Sequence, residues 1–264
     1  MGRVARALVW HEFVERTRDR WVLVISVLFA LLASAVSLYG RAADSETAQL
    51  TGPSLVTLAS LFVPLVAMVL GHDAIVGERE RNTLGLLLSL PVSRVEVVLA
   101  KVLGRALALV LAVLLGLGTA ALLSDPAGAA ALRRLAGPTL LLGLAFLSIG
   151  MFISTCTRRQ AAAASAVVIV WFGLVFFFDL GLLGMLVVSD GAVPQQVVAA
   201  LVVANPAGLY RVGMMQVFAG PDLLGDLGMT ASLPGPAWVA AIWAAWLVLP
   251  GLASGLILGK AKAP

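Results

Sequence analysis

Six long apolar runs separated by short, turn-rich gaps decide most of what this chain can become. Crossing about 30 Å of hydrocarbon takes about 20 helical residues, and inside lipid every backbone amide must find its partner within the helix that carries it. The runs place membrane-spanning helices at Trp21 to Tyr39, Pro53 to Gly71, Ala106 to Leu123, Pro138 to Cys156, Ala161 to Val188 and Pro236 to Leu258. The fifth exceeds a single crossing, so it tilts or lays its end along the outer interface. Composition agrees, with 61% of residues hydrophobic and 12% charged against about 25% charged in a soluble domain. The expectation is an all-α integral membrane protein forming one transmembrane domain over residues 1–264.

Lys and Arg collect in cytoplasmic loops and so set the orientation. With an even number of spans both termini share a side. Placing them in the cytoplasm leaves only Arg41, Arg133, Arg134 and Arg211 outside, of 18 basic residues. The net charge of +4 then reflects topology, and nothing argues for nucleic-acid binding. The amino end has a basic region, an apolar run from Trp21 and a small-residue triplet, Ala33-Ser34-Ala35, as a secretory signal does. The run continues to Tyr39, however, and Glu12, Glu15 and Asp19 interrupt the leading region, so it reads as an uncleaved anchor. Residues 1–20 are expected to form a charged helix on the inner surface, with Val9, Trp10 and Phe13 spread around its wheel.

The long polar interruption from Gly71 to Lys101 stands out in so apolar a chain. Glu78, Arg79, Glu80 and Arg81 alternate in charge, and Asn82 or Thr83 can cap a helix over Leu84 to Leu90. Pro91 stops that helix. Ser93 then restarts one, with Glu96 three residues on completing a capping box. Helix, break and second helix across the mouth of a bundle form an element that a soluble motor can push on. The same residues also fit an ordinary solvated loop.

Catalytic chemistry is missing from the pattern. The lone Cys156 rules out an internal disulfide or a cysteine metal cluster. His11 and His72 lack ligand spacing, and Met214 and Met215 read as packing. The run Gly255 to Ala261 has three residues between its glycines, lacks the following Ser or Thr, and so is not a phosphate-binding loop. No catalytic residue, metal site or bound cofactor is expected in this chain.

Inside the membrane, Gly251, Gly255 and Gly259 recur every four residues on one face of the last span, a seam for close helix packing within or between subunits. Asp179 lies among aromatics and leucines near the outer end of the fifth span and needs a partner or water. Arg211, the single basic residue of the outer segment 189–235, is the available partner on that side, although Asp179 facing water at the interface serves equally. Within that segment Val197 to Ala204 is apolar but too short to cross, and Asn205-Pro206 punctuates it, so a re-entrant or interfacial hairpin is expected.

The run Glu78-Arg79-Glu80-Arg81-Asn82-Thr83-Leu84, the leucines after it, Pro91-Val92-Ser93-Arg94 and then Lys101 resemble the coupling-helix segment of type-2 ABC transporter permeases. That segment is written as an acid pair, Gly-Thr-Leu, Pro-x-Ser-Arg and Lys. Here Asn82 replaces the usual glycine, and asparagine also tolerates left-handed angles. Phe178-Asp179-Leu180, Asn205-Pro206 with Tyr210-Arg211, and Asp73 to Glu78 narrow the resemblance to the permeases of NosDFY-type transporters. The resemblance covers essentially the whole chain. It implies a homodimer in the bacterial cytoplasmic membrane, with two NosF-like ATPases, which bind ATP and Mg, on the inner side and a NosD-like periplasmic protein on the outer side. It implies that Glu78 to Thr83, Pro91, Ser93 and Arg94 couple ATP hydrolysis to copper-site maturation of nitrous-oxide reductase, this chain itself being no enzyme. A generic exporter of lipids or drugs, and a non-transporting membrane scaffold, are the competing readings.

Overall fold

Helix α1 (Arg3–Thr17) and helix α2 (Arg20–Ala42) meet at a one-step bend, where the Asp19 carboxylate caps α2 by accepting from the Trp21 amide at 2.9 Å. The charged amino-terminal helix expected over residues 1–20 therefore ends three residues early. The chain continues through α3 (Thr51–Gly71), α4 (Val76–Glu80), α5 (Arg94–Leu123), α6 (Pro126–Cys156), α7 (Gln160–Phe172), a π-helical turn (Gly173–Phe177), α8 (Phe178–Val188), α9 (Gln195–Ala204), α10 (Pro206–Asp226) and α11 (Pro236–Lys260). This computed structural model describes residues 3–42, 51–83, 94–190, 192–226 and 235–260, with Gly85 alone between two of these stretches.

Among the described residues, six helices are long and apolar enough to cross a membrane, all helical in class. They match the six apolar runs, but α5 and α6 each start well before theirs, at Arg94 and Pro126. α5 begins at Arg94, because Lys101 and Arg105 are paired inside the protein and need not mark a boundary. α6 begins at Pro126, where Asp125 accepts from the Gly128 amide at 3.0 Å and proline occupies the first turn. We call the side of the bundle that carries both described ends the near side and the other the far side.

The spans are unequally buried. In α3 and α6, 61% and 67% of the apolar window is covered, whereas the fifth and sixth spans reach 11% each. The α3–α6 pair is the center of the bundle, and two glycines set its spacing. A Cβ on Gly71 would stand 2.9 Å from the Leu147 carbonyl oxygen, and one on Gly150 3.0 Å from that of Met68. Backbone thus lies on backbone, the geometry that small residues permit in membrane helices. Met68, Leu70, Leu142, Phe146 and Leu147 close the core around the contact. The exposed leucines and valines of α2, α7, α8 and α11 are ordinary for helices solvated by lipid.

The segment after the fifth span forms the expected hairpin. α9 and α10 meet at 108° across Asn205, so the pair enters and leaves on the far side. Gly208 lets α10 turn back against α9, since a Cβ there would sit 2.4 Å from the Val202 carbonyl oxygen.

Candidate functional site

After α3 the chain makes a tight turn through His72 to Ile75 into α4. Ser154 of α6 accepts from the Ile75 and Val76 amides at 3.0 and 3.1 Å, so the first turn of α4 is capped by the neighboring span. α4 ends in a Schellman arrangement: the Thr83 amide donates to the Glu78 carbonyl at 3.0 Å and the Asn82 amide to that of Arg79 at 3.3 Å. Asn82 carries the left-handed φ of 55° that this ending needs. The residue therefore closes α4, whereas the sequence was read as capping a following helix. Apart from Gly85, the expected helix from Leu84 to Leu90 lies outside the described residues, as do the Pro91 break, Ser93 of the capping box and the side chain of Arg94.

The alternating charges divide into two sets. Glu78 turns inward: one oxygen accepts from Lys101 Nζ at 2.9 Å, and the other is engaged by the Thr83 hydroxyl. Arg79 donates to the Thr157 carbonyl at 2.5 Å. Glu80 accepts from the Gln160 amide at 2.8 Å, Arg81 sits 3.6 Å from Glu15, and these two with Asn82 form the exposed edge of the segment.

Behind that edge lies a buried ionic network that sequence reasoning missed. Asp73 holds two guanidiniums, each at 2.7 Å: Arg16 Nη1 from α1 on one oxygen and Arg105 Nη1 from α5 on the other. Arg105 also donates to the Leu70 carbonyl and lies 3.2 Å from Glu12 Oε2. Lys101 bridges Glu12 and Glu78. Glu12, Arg16, Asp73, Lys101 and Arg105 are all at most 6% exposed. With Glu78 the set holds three acids and three bases, so its formal charge cancels. Glu12 Oε2 has the Coulombic contact with Arg105 but no hydrogen-bond partner, and the Nε groups of Arg16 and Arg105 are likewise without one among the described residues. Burial alone would lower the Arg16 pKa, but the carboxylates of Asp73, Glu15 and Glu12 raise it above the ordinary value. The group thus stays charged.

Gly104 explains how α1 gets this close. A Cβ there would lie 2.5 Å from Glu12 Cβ and 2.7 Å from the Val9 carbonyl oxygen, so α1 rests directly on the α5 backbone. One lattice of charge therefore joins α1, the α3–α4 turn and the Lys101–Arg105 stretch of α5. Charges this buried resist separation, because pulling one away strands its partners in a poorly solvated site. The arrangement can transmit a push on α4 to α1 and α5 as a single body. The signal in the sequence was Glu12, Arg16, Lys101 and Arg105 at helical spacing on elements otherwise rich in apolar residues.

On the far side, Arg211 Nη2 of α10 lies 2.5 Å from Asp179 Oδ2 of α8. The side chains are 25% and 42% exposed, so the pair is only partly shielded. Asn205 at the hairpin bend is 2% exposed and bonds twice: its Nδ2 donates to the Leu174 carbonyl at 2.6 Å, and its Oδ1 accepts from the Ala207 amide at 3.0 Å. Tyr210 and Thr139 share a buried hydroxyl contact at 2.9 Å. Met214 lines an apolar cavity of about 820 Å³ between α6, α10 and α11, with Tyr210 and Trp243. Among the described residues no group of three or more His, Cys, Asp and Glu side chains is placed to hold a metal.

Among the described residues, neither Gly251 nor Gly255 of the glycine stripe makes a tight contact within the chain. Gly251 would meet only Ser148 Oγ, at 3.8 Å, Gly255 has nothing within 4 Å, and the surroundings of Gly259 lie outside the described side chains. The within-subunit version of the seam is thereby corrected for Gly255. Its helix face borders an open apolar groove with α5 and α6 instead.

Residues 6–262 match the family model described as ABC-2 family transporter protein. The chain is 37% identical to the probable ABC transporter permease protein NosY of Pseudomonas aeruginosa, with 96% of this chain and 97% of that one covered. It is also 37% identical to the probable ABC transporter permease protein NosY of Stutzerimonas stutzeri, over 92% of this chain and 94% of that one.

Proposed function

Because this chain belongs to the ABC-2 family of transporter proteins and is a multi-pass permease, we propose that it works as a homodimer in the bacterial cytoplasmic membrane, driven by separate NosF-like ATPases. In this reading both termini are cytoplasmic, the near side faces the ATPases, and the far side meets a NosD-like periplasmic protein. ATP and Mg are bound by the partner, and the work done supports copper-site maturation of nitrous-oxide reductase. Similarity to permeases named NosY along nearly the whole chain favors this over a generic exporter.

The observation that carries the coupling role is the split of the charge run. Glu80, Arg81 and Asn82 are presented outward, while Glu78, one turn behind, is bonded to buried Lys101. A subunit gripping the outward edge pulls on α5 through Glu78 and on α6 through Arg79. Rigid-body displacement of packed helices is the ordinary way such a push travels.

Co-expression of the chain with its ATPase, followed by affinity purification, tests the reading. Glu80→Lys combined with Arg81→Glu is expected to lower ATPase recovery at least tenfold while membrane insertion is unchanged. Wild-type recovery would place the docking edge elsewhere. Copper content of nitrous-oxide reductase in cells lacking the chain tests the maturation role, and a fully loaded reductase there would remove it.

A further inference from the structure

The fifth span changes character at its π-helical turn. Before the turn, Ala163 and Val167 are buried and Val170 and Trp171 pack on the core, and Leu174 and Val175 continue this seam into the turn itself. The Trp171 indole N–H donates to the Leu61 carbonyl of α3 at 3.1 Å and fastens this half to the center of the bundle. After Val175 the seam stops. No residue of α8 is buried. The π turn contains one residue more than regular helix supports, which weakens the local ladder, and such turns are frequent at functional sites.

What retains α8 comes from the re-entrant hairpin. Asn205 donates its amide to the Leu174 carbonyl within the π turn, and Arg211 pairs with Asp179 one turn beyond it. The hairpin itself is anchored elsewhere. Tyr210 is bonded to Thr139 of α6, and the Trp246 indole of α11 donates to the Ala204 carbonyl at 2.9 Å. Leu174 is 14 residues from the near end of the span, so the Asn205 contact lies about 20 Å along it. The hairpin tip thus reaches below the far boundary of a layer about 30 Å thick.

We infer that Gly173–Phe177 is a hinge on which α8 swings away from the hairpin as a door at the far mouth of the bundle, and that Asn205 and Arg211 are its two latches. Asn205 is the inner latch and sits at the axis, so its single hydrogen bond governs whether the π turn is held. Arg211 is the outer latch and works on the door itself. The inference uses contacts within one chain, so it stands or falls separately from the docking of any ATPase.

Hydrogen exchange read by mass spectrometry on the full chain in lipid nanodiscs tests it. Asn205→Ala is expected to speed exchange across Phe178 to Val188 by roughly fivefold, the net worth of one buried hydrogen bond, with Gln160 to Phe172 unchanged. Equal acceleration of both halves would mean that Asn205 only stabilizes the fold, and no acceleration would mean that it latches nothing. Deleting Gly173, whose added Cβ would meet no neighbor, removes the extra residue and leaves the helical faces on either side in register. That variant is expected to slow exchange in α8 below wild type. Exchange at or above the wild-type rate in the deletion would overturn the hinge.

Discussion

Replacing Asp73 by Asn leaves shape and volume almost intact while removing the negative charge that two guanidiniums share. The amide keeps one acceptor oxygen and turns a donor N–H₂ toward the other arginine, so one of the two 2.7 Å contacts becomes donor against donor. Arg105 at 1% and Arg16 at 5% exposure cannot recover hydration without local opening. Neither can escape by losing its proton, since a guanidinium remains charged in proteins. Breaking a buried pair by removing one member costs about 3–5 kcal/mol. At about 2–4 °C per kcal/mol for a domain of this size, the expected loss in melting temperature is roughly 6–20 °C. The measurement is thermal unfolding of the purified chain in one detergent, followed by tryptophan fluorescence. Arg105→Gln alone and the double variant complete a cycle, in which the double is expected to melt above the sum of the two single losses by at least the equivalent of about 1 kcal/mol. A variant Asp73→Asn that melts within 1 or 2 °C of wild type, at roughly a tenth of the cost above, would refute the claim that the network holds the near side together. Strict additivity would show that Asp73 and Arg105 act independently.

Gly104→Val should push α1 off α5, because the added carbon meets the Val9 carbonyl, which is backbone and cannot swing aside. A cysteine at buried Ala5, in a Cys156→Ser background, should then become reactive to a membrane-impermeant maleimide, and continued protection would show that α1 tolerates the change. Gly255→Leu is expected to leave the melting of the isolated chain unchanged, since nothing in the chain lies within 4 Å, while lowering dimer content in crosslinking; an unaltered dimer would mean that this face meets lipid only. If the proposed maturation role holds, Asp179→Arg and Arg211→Asp should each lower reductase copper loading several-fold and recover together in the double swap, whereas a double as poor as the worse single would remove any functional pairing. A partly exposed pair such as this contributes less than a buried one, of the order of 1 kcal/mol, so little change in melting is expected from either single change.

The six membrane-length helices, the amino-terminal helix and the bent hairpin after the fifth span were legible in the sequence because they depend on local properties. An apolar run of given length has one low-energy form in lipid, and Asn-Pro after a run too short to cross marks a turn. Asp179 and Arg211 were paired from scarcity alone, each having few alternatives on its side of the membrane, and the structure sets them 2.5 Å apart. The segment Glu78 to Arg81 was recognizable by its charge run, but the sequence treated all four charges alike. Only the fold separates Glu78, directed to Lys101, from Glu80 and Arg81, directed outward.

Tertiary structure decided everything that depends on two distant segments meeting. Glu12 and Lys101 stand 89 positions apart, and Arg16 and Asp73 stand 57 apart, so no local pattern announces that they neutralize one another. The glycines tell the same story. Gly251, Gly255 and Gly259 form a visible stripe, yet among the described residues the close approaches to another backbone are at Gly71, Gly104, Gly150 and Gly208, none of them part of a four-residue glycine repeat. Periodicity reports which face of a helix is special. Whether another backbone arrives at that face is settled by the packing of the whole bundle. The π turn belongs to the same class, since its residues read as ordinary apolar helix and only the meeting with Asn205 shows where the span changes hands.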